Sequence, residues 1–104
     1  MEELKIINRM RSVVHIDVFK NAEYFFNMLY DIELPLNLRL IPANINCSHG
    51  DICIHWKTLN IKLVFNRCGM YISKNGYIDY EYNKINLNNI KKCIDNLSNL
   101  MTTR

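Results

Sequence analysis

Cys47, His49, Cys53 and His55 put four soft donor side chains within nine residues, the densest concentration of metal-ligating or nucleophilic groups in the chain. A structural zinc site needs four such donors converging tetrahedrally at about 2.0–2.3 Å. The spacing Cys-x-His-x3-Cys-x-His matches no common zinc pattern. Alternation along an extended chain sends Cys47 to one side, leaves His49 in a turn and puts Cys53 and His55 on the other side. The four diverge, so no metal is expected. Cys53 and His55 point the same way but stand about 7 Å apart along a strand, too far for a base to activate a nucleophile. No third group orients the imidazole, and the chain has no phosphate-cradling glycine loop, paired-acid motif or nucleophile elbow. It reads as non-enzymatic, without a cofactor.

The elements that position these residues lie between residues 52 and 82. With 57–60 as a loop, Trp56 faces Ile61, Ile54 faces Leu63 and Ile52 faces Phe65, so one side of the hairpin is wholly apolar. With 66–69 as the next loop, Phe65 meets Met70 and Leu63 meets Ile72. The third turn holds Asn75-Gly76, the usual two-residue hairpin signal. In a regular ladder that loop would set Ile72 against Asp79 and Met70 against Glu81, burying two carboxylates at several kcal/mol each. A three-residue loop, 74–76, instead pairs Ile72 with Ile78 and Met70 with Tyr80. Because a one-residue slip moves every side chain to the opposite face, the three-residue loop is expected.

Upstream, Ser48-His49-Gly50-Asp51 reads as a turn pairing Cys47 with Ile52 and Ile45 with Ile54. Pro42 marks the preceding stretch, 38–47, as an edge strand. Residues 2–12 read as a helix, and 13–16, rich in β-branched residues, as a hinge or short strand. Asp17 reads as the N-cap of a second helix, 17–30, apolar around much of its girth and ended by Leu34-Pro35. Such a helix is either sandwiched or meets a partner, a second copy included. Leu87, Ile90, Ile94, Leu97 and Met101 recur at three and four, the stripe of a final amphipathic helix over 87–101.

The fold expected is therefore α+β: an antiparallel four- to five-stranded meander with N-terminal helices and a C-terminal helix packed on one face. The chain is a single domain, 1–104, helical over 2–32, with its sheet over 40–82. At 104 residues and 49% hydrophobic it is long enough for one modest core.

Net charge of +3 and a pI near 8.7 fall short of a dedicated nucleic-acid binder. No segment approaches the roughly 20 apolar residues that span a bilayer, and Met1-Glu2-Glu3 is acidic where a secretory leader is basic. The expected compartment is the cytosol, with no membrane partner and with the four cysteines as free thiols.

On the open face, His55, Lys62, Val64, Tyr71 and Tyr77 have the composition of a protein interface, tyrosine being favoured because it buries area at low entropic cost. A stacking platform for single-stranded nucleic acid would use Lys62, Tyr71 and Tyr77, but Asp79 and Glu81 share the face and repel phosphate. Fifteen asparagines, fourteen isoleucines, two alanines and no glutamine betray an AT-biased coding sequence. In size, composition and lack of catalytic residues the chain resembles the short proteins with which phages and other mobile elements block a host machine, anti-CRISPR inhibitors among them. That resemblance implies a protein partner in a host cytosol and assigns no residues. The second reading is a small nucleic-acid-associated regulator such as an antitoxin or repressor.

Overall fold

The computed structural model describes residues 2–29 and 43–102. The chain-order elements are α1 (Glu2–Arg9), α2 (Ile16–Leu29), β1 (Asn44–Ser48), β2 (Asp51–Trp56), β3 (Ile61–Phe65), β4 (Met70–Lys74), β5 (Tyr77–Tyr82) and α3 (Leu87–Thr102). The five strands form one antiparallel sheet in the order β1-β2-β3-β4-β5, a meander, and the fold is α+β as expected. The Leu34-Pro35 stop and Pro42 lie outside the described residues.

The first three pairings have the expected register: Cys47 faces Ile52, Ile54 faces Leu63, Trp56 faces Ile61, and Phe65 faces Met70. Ile52, Ile61, Leu63, Phe65, Met70 and Ile72 are at most 1% exposed. All three helices cover this side, contributing Ile7 from α1, Val18, Phe19, Ala22, Phe25 and Phe26 from α2, and Ile90, Cys93, Ile94, Leu97 and Met101 from α3. Phe65 anchors the contact with α2, its ring lying 5.2 Å from Phe25 and 6.2 Å from Phe26.

The fourth pairing corrects the expected loop. Lys74 faces Tyr77 across a two-residue Asn75-Gly76 turn, both residues having positive φ (54° and 86°), the type I′ geometry that matches strand twist. Ser73 faces Ile78, and a bulge then shifts the ladder so that Ile72 faces Tyr80 and Met70 faces Tyr82. The extra residue, Asp79, takes up the phase, so neither Asp79 nor Glu81 enters the core face. Burial of the carboxylates is avoided, but by a bulge rather than by a longer loop. Ile78 leaves the core side and is 53% exposed, where it was expected to be buried.

The N-terminal helices also differ in detail. α1 ends at Arg9 and residues 10–14 form turns and a bend, so the 13–16 interruption is not a strand. The cap of α2 is His15 and not Asp17: its Nδ1 accepts from the Asp17 N–H at 3.1 Å and its carbonyl from the Phe19 N–H. Asp17 instead occupies the first turn, where a carboxylate complements the helix dipole. α3 is capped by Asn86, whose Oδ1 accepts from the Asn89 N–H at 2.8 Å. Asn86→Ala should lower stability by about 1 kcal/mol, read from denaturant midpoints. An unchanged midpoint would show the cap to be redundant.

Candidate functional site

The side of the sheet away from the helices is read directly from the register. One row runs Asn46, Cys53, Val64, Tyr71, Glu81 and the next Asn44, His55, Lys62, Ser73, Ile78. Cys53 and Val64 are buried at the centre of this face yet belong to no part of the helix-covered core cluster. Around them lie half-buried Tyr71 and His55, exposed Lys62, Ile78 and Glu81, and half-buried Asp51 at the start of β2. A dry centre within a polar, aromatic margin is the layout of an interface core and rim.

Of the expected site residues, His55, Lys62, Val64 and Tyr71 come together here. Tyr77 does not. It faces Lys74, whose Nζ donates to the Leu100 carbonyl of α3 at 3.3 Å, so Tyr77 belongs to the helix side at the rim and is 76% exposed. Its place on the open face is taken by Ile78. The signal was present in Asn75-Gly76, because a two-residue turn puts Ile78 opposite Ser73 whatever happens beyond it.

The electrostatics of the face are mixed. Burial pushes the Cys53 thiol up, with the Lys62 charge pulling partly back. Burial also raises Tyr71, and the neighbouring Asp51 and Cys53 add to the effect. The Asp51 carboxyl is raised by burial, which His49 offsets in part. A thiol held protonated is a poor nucleophile. His55 is costly: its Nε2, like the Trp56 Nε1 on the helix-covered side, is buried and has no hydrogen-bond partner among the described residues. An orphaned buried polar group costs about 1–3 kcal/mol.

Cys47 and Cys68 are exposed, whereas Cys53 and Cys93 are buried, and burial raises the Cys93 thiol far above its ordinary range. The cysteines and histidines singled out by spacing diverge: Cys47 is on the edge strand, His49 in the turn beside Ser48, and Cys53 and His55 within the sheet. Among the described residues no group of three or more His, Cys, Asp or Glu side chains could hold a metal ion. Two thiols should therefore react rapidly with a chromogenic disulfide reagent and two only on unfolding. Rapid reaction of a third would show that Cys53 is accessible from the open face.

The fold and this face define a small α+β domain whose antiparallel meander has, among the described residues, helices on one side only. No family model, curated protein or solved structure matches the chain. Among the described residues no helix is long and apolar enough to cross a membrane.

Proposed function

We propose that the protein is a non-enzymatic protein-binding module that acts stoichiometrically, in the manner of the phage or mobile-element inhibitors that block a host defence machine in the cytosol. The observation that carries this reading is the sheet face that no described helix covers: Cys53 and Val64 form a buried apolar centre apart from the helix-packed cluster, ringed by Tyr71, Ile78, His55 and Lys62. Tyrosine and isoleucine standing beside single charges provide anchors and orientation without catalytic machinery. The buried Nε2 of His55, without a hydrogen-bond partner among the described residues, fits this reading, since folding gains nothing from an orphaned nitrogen there. Asp51 and Glu81 on the same face disfavour a phosphate backbone.

The test is capture from host lysate by the wild type and by a Lys62→Glu/Tyr71→Ala variant. The variant should lose its stoichiometric partner, with binding weakened by roughly a hundredfold or more, while its melting temperature stays nearly unchanged. Undiminished capture would remove the open face from consideration. Salt-dependent gel shifts with mixed DNA and RNA at low ionic strength would favour the regulator reading instead.

A further inference from the structure

β5 is the outermost strand on one side of the sheet, and among the described residues its far edge has no strand partner. It is also exposed along most of its length: Tyr77, Ile78 and Tyr80 are 76, 53 and 38% exposed. Asp79 and Glu81 alternate with these apolar side chains and are exposed as well. The strand carries two negative charges and no positive one, although the chain as a whole is +3. Among the described residues neither carboxylate has an ion-pair partner. Lys74 is directed to the Leu100 carbonyl of α3, and Lys84 lies beyond the end of the strand.

Free edges are usually guarded by lysine, proline or extreme shortness. β5 has six residues, no proline and no lysine; its guards are the bulge at Asp79 and the two carboxylates. Those carboxylates discriminate between occupants. A second copy of β5 laid antiparallel and centred on Asp79 or Glu81 would set that residue against its own image; centred on Tyr80 it would set Asp79 against Glu81. Like charges directly opposed are destabilising. A phosphate backbone meets the same repulsion. A strand with Lys or Arg at alternate positions meets opposite charge and exposed tyrosine together.

We propose that the free edge of β5 takes up an extended, basic segment of a protein partner as an added strand. Main-chain hydrogen bonds to the unpaired edge hold the segment, Asp79 and Glu81 select its charge, and Tyr77, Ile78 and Tyr80 pack against its apolar positions. Because Ile78 and Glu81 also belong to the open face, the edge continues the surface proposed above, and this inference rests on that protein-binding reading.

The experiment titrates the isotope-labelled full chain with a short capped peptide alternating Lys and Thr, and with its Glu-Thr counterpart, following backbone amide resonances at low salt. The lysine peptide should shift the amides of Tyr77–Tyr82 selectively, and the glutamate peptide should not. Asp79→Lys/Glu81→Lys should weaken the lysine peptide by about tenfold or more, and alternate N-methylation of the peptide backbone should abolish binding. Shifts centred on β1, equal binding by the double variant, or no shift at β5 would each overturn the proposal. Concentration-dependent shifts at β5 without peptide would assign the edge to a second copy and overturn it too. If Lys62→Glu/Tyr71→Ala loses the lysate partner while Asp79→Lys/Glu81→Lys keeps it, the binding-module reading stands and the edge inference alone falls.

Discussion

Gly69→Ala is expected to destabilise the domain by more than about 3 kcal/mol, enough to lower the melting midpoint by roughly 10 °C or more. Gly69 is buried in the β3–β4 turn, where Asn66 Oδ1 accepts from its N–H at 2.8 Å and from that of Cys68 at 3.0 Å. A methyl group here would press on the backbone where β5 ends, 3.0 Å from the Tyr82 carbonyl carbon and 3.1 Å from that of Asn83, with the Tyr82 oxygen nearer still. Backbone cannot swing aside as a long side chain can, so the strand ladder itself must move. Gly50→Ala is the matched control. Its added Cβ meets nothing within 4 Å, and only the left-handed φ of 83° opposes it, a cost near 1 kcal/mol. Chemical denaturation of the two variants separates close approach from dihedral strain; equal losses would show that the Tyr82 contact is not limiting.

Phe65→Ala should cost about 3–5 kcal/mol, the usual range for a large aromatic removed from a packed core. Phe65 is fully buried at the end of β3 and faces Ile52 on one side and Met70 on the other. Its ring meets Phe25 edge-on, and Phe25 meets Phe26 at 5.5 Å, so deletion empties the contact between sheet and α2. Nearby, the Asn21 side chain donates to the Asn66 carbonyl at 2.9 Å, tying α2 to the turn that follows Phe65. Phe65→Leu keeps most of the volume and should cost markedly less. Equal loss from both would implicate the aromatic geometry rather than the cavity.

The legible part of the fold followed from period-two burial. Ile52, Ile54, Leu63 and Ile72 sit on one side because no other phase of those hairpins avoids burying charge, and the structure has that phase. Asn75-Gly76 was harder. Two regular ladders compete there on the cost of buried carboxylates; a bulge at Asp79 satisfies the turn and the burial together. The two-residue turn put Ile78 on the open face and Tyr77 off it, and the inserted residue returned Tyr80 and Tyr82 to the expected side. The α2 cap differs for another reason: Asp17 is a common capping type, but the cap lies two residues earlier, at His15, and uses its ring. Alternation placed Cys53 and Val64 on the side away from the helices; what residue type could not give is that both are buried there, apart from the helix-covered core.

Photocrosslinking tests most directly whether the open face meets the partner. Benzoyl-phenylalanine in place of Tyr71, on the open face, is compared with the same group in place of Tyr24, which is 43% exposed on α2. A single defined adduct from position 71 and none from position 24 is the expected result. An adduct from position 24 with none from position 71 would place recognition on the helical side and contradict the account.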